Sequence, residues 1–234
     1  MKKGLLAGLL LVLLVGCAKT PNMNYNASMH KDIRSIAVVA PKKTVELTIF
    51  YHNHPGMSFG LVGGLVAAAE LKSKQSEYNE LLKSTGFRFD AYFLNKLTTY
   101  LEADKYKVVL LPSDDKRKSE HMTAYPDTVA DAYLDIVVNN VGYIAGSPTS
   151  TYKPTVNLGV RLVKKRNKEI VYEKVLAVGE NFGVSEDVDY LGCDTKDCHA
   201  DFDTLKRNAL KSVEGLKRAI DKVAKRIAVS LRKS

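Results

Sequence analysis

The chain has 234 residues, of which 45% are hydrophobic and 26% charged, with a formal net charge of +9 and no tryptophan. That composition excludes wholesale disorder and suffices for one substantial domain with a connecting segment. The lysines are spread along the whole length with no RNA- or DNA-binding motif. The charge therefore reads as solvated faces that favour anionic surfaces, and a nucleic-acid partner is not expected.

Lys2 and Lys3 precede an apolar run from Leu5 to Val15, and Leu14-Val15-Gly16-Cys17 closes it. A positive start, a short apolar core and small residues before a cut site describe a secretory signal peptide. The core, about 11 residues, is short for a spanning helix, which needs about 20. Ending in Leu-Val-Gly-Cys, the segment resembles a bacterial lipoprotein signal. The resemblance implies cleavage before Cys17, a diacylglyceryl thioether on its sulfur and acylation of its new amine. An ordinary signal peptide or an uncleaved membrane helix is the alternative. Removing residues 1–16 leaves a charge of +7. In this reading the membrane is a partner through the acyl chains on Cys17. The residue after it, Ala18, is not the aspartate that serves as the usual inner-membrane retention cue, which favours the outer membrane, periplasmic face.

From Ala18 to Lys31 the chain is polar and aperiodic, so residues 17–31 are expected as a tether reaching roughly 45 Å when extended. Ile33–Ala40 is a β-branched run stopped by Pro41, read as a buried strand, and Val45–Tyr51, which alternates less cleanly, either extends the sheet or forms a second strand. His52 and His54 at i and i+2 are either paired ligands or plain loop histidines before Pro55-Gly56.

Gly56, Gly60, Gly64 and Ala68 then recur every four residues. On a helix these stack on one face and allow close approach of another backbone, whereas each glycine weakens an isolated helix by up to about 1 kcal/mol. One reading is a glycine-zipper helix that self-associates or enters a lipid surface, giving a homo-oligomer. The other is a flexible Gly-rich loop leading into a helix buried against the domain. As a helix, Met57–Ala69 spans only about 20 Å, too little to cross a bilayer. Polar helix continues from Glu70, and Gly86 ends it, so the helical insertion covers 56–84.

Phe89, Phe93, Leu97 and Leu101 mark an amphipathic helix over 87–103, followed by a buried strand at Lys107–Leu111. Ser113–Pro126 is a charged surface excursion. Residues 130–145, 155–163 and 170–178 read as three strands of an antiparallel meander, with Val156, Leu158, Val160 and Leu162 on one face. An acidic irregular stretch then carries Cys193 and Cys198, expected as a disulfide in an oxidising compartment. A metal site using Cys193, Cys198 and His199 is the alternative, made awkward by the adjacent Cys198-His199. Apolar residues at spacings of three and four from Leu205 to Leu231, with Lys and Arg elsewhere, give a closing helix over the sheet. Such a basic helix could instead lie on an anionic membrane or bind a partner helix.

The expected fold is therefore α/β (α+β): a mixed sheet with an antiparallel C-terminal meander, packed by amphipathic helices, in one domain over 32–234. The order of elements resembles the envelope domain shared by the curli secretion channel lipoprotein, the amino-terminal domain of the Tol-system propeller protein and lipoprotein activators of peptidoglycan synthases. Ile36–Ala40, Phe89–Leu101, Tyr106–Leu110, Ala130–Tyr133 and Val156–Val178 carry the resemblance. The Gly-rich segment and the acidic cysteine loop are departures from it. No phosphate loop, G-x-S-x-G or H-E-x-x-H occurs, and Ser113–Lys116 is an S-x-x-K match without companions. No enzyme activity, metal or cofactor is expected. The sequence points to a lipid-anchored outer-membrane lipoprotein whose domain binds or helps assemble another envelope component. The alternative is a self-assembling membrane or secretion-pore subunit using Gly56–Ala69.

Overall fold

The structure is a computed structural model that describes residues 22–41, 45–112, 120–180 and 187–233. Cys17 and the Ser113–Lys116 match lie outside these residues. One eight-stranded mixed sheet organises the domain. Its strands are β1 (Asn22–Met23), β2 (Ser35–Val39), β3 (Thr48–Tyr51), β4 (Lys107–Leu111), β5 (Ala132–Ala145), β6 (Lys153–Lys164), β7 (Ile170–Val178) and β8 (Asp189–Leu191). The helices are α1 (Gly60–Lys83), α2 (Phe89–Ala103), α3 (Phe202–Arg207) and α4 (Ala209–Ser230).

The antiparallel meander β5–β6–β7 forms the centre, as its alternation demands: Val156, Leu158, Val160 and Leu162 are all fully buried on one face. β2 lies parallel to both β5 and β4, and the connection between β2 and β4 carries β3, α1 and α2. β5 is long enough to take two partners along one edge, β2 over Ala132–Asp135 and β3 over Gly142–Ala145. A register shift between Val138 and Asn140 separates the two pairings.

Alternation also divides the core. Ile36, Val38, Leu134 and Ile136 face α1, α2 and α4, whereas Ala37, Val39 and Tyr133 face the other way under Met122 and Tyr125. There Asp135, fully buried, accepts from the Met122 N–H at 2.7 Å and the Tyr125 hydroxyl at 3.0 Å, with His121 Nδ1 at 3.3 Å. On the helix side the Tyr78 hydroxyl meets Ser212 Oγ at 2.7 Å and the Tyr143 hydroxyl donates to the Ser212 carbonyl at 3.0 Å. Those bonds satisfy the polar ends of aromatic rings that join α1, β5 and α4.

Two elements differ from the sequence reading. The stretch expected as a free tether is, from Asn22, laid on the domain: Asn22 and Met23 pair with Lys174 and Glu173 of β7. The Tyr25 hydroxyl donates to the His30 carbonyl at 3.4 Å, and Ile33 is buried. Backbone pairing at a sheet edge needs no apolar pattern, so composition did not mark it. The closing helix is two helices, because Asn208 leaves helical geometry and its side-chain amide takes the Thr204 carbonyl at 2.7 Å. Asp201 caps α3 by accepting from the Thr204 N–H at 2.6 Å.

Candidate functional site

Asn53 adopts positive φ after β3, and the chain turns through a 3-10 segment, Pro55–Phe59, into α1. The helix returns antiparallel to β3: the Tyr51 hydroxyl donates to Glu70 Oε1 at 3.1 Å, while the Leu47 N–H donates to Asn79 at 2.9 Å. With Glu70 level with the last residue of β3, Gly60–Ala69 overhangs the sheet by about 15 Å. The residues of this tip from Pro55 to Ala69 carry no charge. Six large apolar side chains on it are exposed: Met57 (56%), Phe59 (76%), Leu61 (81%), Val62 (74%), Leu65 (63%) and Val66 (62%).

The tip is built to hold its shape. A Cβ at Gly63 would stand 2.2 Å from the Gly56 carbonyl oxygen, and one at Gly56 would stand 2.7 Å from the Gly63 carbonyl oxygen. The 3-10 turn thus lies directly on the first turn of the helix, over buried Ala67. Gly60 contributes differently, by supplying φ +64° where the turn becomes helix. The expected four-residue repeat is therefore not one helical face: Gly56 precedes the helix, and Gly63 makes the close approach. Gly60, Gly64 and Ala68 remain outside the core, and a Cβ at Gly64 would meet only Met57 Sδ at 3.9 Å.

A polar latch sits under the tip. The Gly56 N–H donates to His54 Nδ1 at 3.0 Å, which assigns the ring proton to Nε2, 3.1 Å from Glu70 Oε2. The His54 ring stacks on Tyr51 with centroids 5.1 Å apart, and Lys74 Nζ donates to Glu70 Oε1 at 2.6 Å. Lys74 first, then His54 and Tyr51, hold the Glu70 carboxyl down at about 2 against the opposing effect of burial. Burial and the neighbouring carboxylate push the Tyr51 phenol up to about 12. Because Glu70 titrates below its ordinary 4.5, its stabilising contribution is complete above that pH and is lost as pH falls toward 2. Its side chain is 42% exposed, so screening confines the effect to the latch and leaves global stability little changed. Amide exchange over 56–67, corrected for intrinsic rates, is expected to accelerate between about pH 4.5 and 2 in the native chain and to lose that step in Glu70→Gln. His52 has a different neighbour, Phe50, edge-on at 5.0 Å, so the two histidines do not act as a ligand pair.

At the other candidate site, the expected disulfide is not formed: Cys193 and Cys198 are both free. The Cys198 thiol instead points at the Asp194 carbonyl at 3.8 Å. Burial first, and then the adjacent Cys198, pushes the Cys193 thiol up to about 11. Alkylation of Cys193 at pH 8 is expected to run roughly 100-fold slower than at an ordinary thiol, since only the thiolate reacts; mass spectrometry of the iodoacetamide-treated chain checks it. His199 is buried, joined to Tyr152 by backbone bonds of 2.7 and 2.9 Å and edge-on to Tyr143. Among the described residues no group of three His, Cys, Asp or Glu is placed to hold a metal ion. The loop is fixed instead by Asp197, almost fully buried, which accepts two bonds from Arg218 Nε (2.9 and 3.1 Å) and one from its Nη2. Nothing in the sequence distinguished Asp197 from its acidic neighbours; the bidentate partner lies 21 residues away.

No described helix is long and apolar enough to cross a membrane. No protein-family model matches the chain, and no curated protein does. Among solved structures it is similar to protein XCC0632 from Xanthomonas campestris, of family DUF330 (10% identity over 90% of this chain and 85% of that one, TM-score 0.40). It is also similar to the PelC dodecamer from Paraburkholderia phytofirmans (14% identity, 92% and 96%, TM-score 0.34). A third likeness is to lipoprotein GNA1162 from Neisseria meningitidis (18% identity, 65% and 86%, TM-score 0.23).

Proposed function

We propose that the chain is a lipid-anchored, non-catalytic envelope protein, held by acyl chains on Cys17 on the periplasmic face of the outer membrane. Its α/β domain binds or helps assemble another envelope component at the membrane surface. The observation that carries this reading is the pairing of Asn22–Met23 with β7. Only four residues separate Cys17 from Asn22, a reach of about 18 Å over five residue steps when extended. An anchored domain so joined works against the bilayer, where its partners are other membrane-apposed components. Three acyl chains exceed the two signals that stable anchoring needs. Cys17→Ser, exported on a carrier signal, is expected to lose most of its membrane-bound fraction; retention as complete as that of the native chain would overturn the anchor. Affinity capture of the lipidated protein from its own envelope, with Cys17→Ser as control, identifies the component.

A second reading, a self-assembling subunit joined through Gly56–Ala69, draws on the exposed tip. Gly64→Leu is the variant that tests it, because an added Cβ at Gly64 makes only an ordinary contact with Met57 Sδ at 3.9 Å and its φ is ordinary, whereas Gly60→Leu would also strain the turn. A crosslinked oligomer that disappears in Gly64→Leu supports this reading, and an unchanged monomer sinks it.

A further inference from the structure

We propose that the overhanging tip of α1 is a second membrane contact, entering one leaflet of the same bilayer that holds Cys17. This rests on the lipid anchor proposed above.

The strand registers point the segment that precedes Asn22 and the tip of α1 toward the same end of the sheet. β3 runs parallel to β5 and finishes at Tyr51, opposite Ala145. β7 finishes at that end too, with Val178 beside Val156, which itself pairs with Val141. β1 is antiparallel to β7, so stepping back from Met23 to Asn22 moves from Glu173 to Lys174, toward Val178. The chain approaching Asn22 from Cys17 therefore comes from the end where α1 overhangs. Between β1 and β3 lie β7, β6 and β5, four strand spacings, or about 19 Å. Along the strands Asn22 is level with Lys174, Val160 and Ile136, nine residues or about 30 Å short of Ala145, so a bilayer that meets both the tip and Cys17 crosses this end of the sheet obliquely, sloping toward the β1 edge.

The chemistry of the tip matches a leaflet. From Gly60 to Val66 the helix rises about 9 Å, within the 5–10 Å to which interfacial helices sink. It is much too short to cross a core of about 30 Å. Its large exposed side chains are Phe, Leu, Val and Met, Ser58 adds one exposed hydroxyl, and no charge lies between Pro55 and Ala69. The first charged level is Glu70 of the latch, bonded to His54, followed by Lys72 and Lys74, where lipid headgroups would lie. The close Gly56–Gly63 contact fixes the two arms of the tip to each other, so little ordering remains to oppose insertion.

The chain has no tryptophan, so a single Leu61→Trp is a clean depth reporter. Val129, 91% exposed and just before β5 at the opposite end of the sheet, supplies the control as Val129→Trp. The lipidated protein is reconstituted in phosphatidylethanolamine–phosphatidylglycerol vesicles containing acyl-brominated lipid. Quenching and a blue shift are expected at position 61 and neither at 129. The same reporters in Cys17→Ser, added to vesicles, read the tip without the anchor. There Leu61→Glu and Leu65→Glu are each expected to weaken partitioning roughly tenfold or more. Equal quenching at both positions, or none at 61, overturns the proposal; a crosslinked oligomer with position 61 unquenched assigns the tip to a second copy instead. A native protein that carries no acyl chains by mass spectrometry while position 61 is still quenched would refute the anchor and leave the tip as a lipid contact.

Discussion

Gly142→Val is expected to lower the unfolding free energy by about 3–5 kcal/mol, with the loss centred on β3 and the tip. Gly142 has φ +156°, and a Cβ there would stand 1.9 Å from the Thr48 carbonyl oxygen and 2.6 Å from its nitrogen. Backbone strain of about 1–3 kcal/mol adds to overpacking of similar size, and the obstructing atoms are main chain that cannot rotate away. Thr48 is the first residue of β3, opposite Gly142 in the register. Separating the two strands loosens the floor on which Tyr51, His54 and Glu70 hold the tip. Urea unfolding measures the total, and amide exchange should rise over 47–67 more than over β6. Gly192→Ala is the control, since nothing lies within 4 Å of its added Cβ, and should stay within about 0.5 kcal/mol of the native chain. Equal effects at the two glycines would refute the account.

Arg218→Met is expected to cost about 2–3 kcal/mol, and Asp197→Asn about 1. The difference follows from where each partner sits: the Asp197 side chain is 3% exposed and that of Arg218 is 39% exposed. Removing the guanidinium leaves a buried carboxylate without its bidentate partner, whereas removing the carboxylate leaves an arginine that reaches water. The pair ties the cysteine loop to α4, so Arg218→Met should also speed Cys193 alkylation by opening its cover. Chemical denaturation of both variants checks the asymmetry, and reversed magnitudes would contradict it.

The central meander was legible because period-two alternation survives burial on one face: Val156, Leu158, Val160 and Leu162 needed no tertiary information. The α2 stripe of Phe89, Phe93, Leu97 and Leu101 was legible at helical spacing for the same reason. The partition of β5 between β2 and β3 was not, since parallel pairing leaves no mark on either short strand. In the tip, the four-residue spacing drew attention to Gly56, Gly60, Gly64 and Ala68, while the close contact is Gly56 with Gly63 across the turn. Spacing along a helix cannot show a contact made by residues that precede it. The exposure of Leu61 and Leu65 was equally hidden, because an apolar run reads the same whether it is covered or overhangs.

β1 has a mechanical consequence. It is held by two residue pairs on β7 and one bond from the Asn22 amide to Asp187, 3.2 Å. Behind it Tyr25 packs against the core and Asp32 accepts from Lys164 Nζ at 3.0 Å; the firmest attachment is Ile33–Ser35, where Ile33 is buried and Asp131 takes the Arg34 and Ser35 N–H groups, each at 2.9 Å. Force on Cys17 would load the weak pairing first and peel it before disturbing the core. Release to Ile33 would lengthen the slack from four intervening residues to fifteen, from about 18 Å to about 55 Å. With Cys17 anchored as proposed, the edge strand would act as a mechanical fuse, giving one domain two working heights above the bilayer.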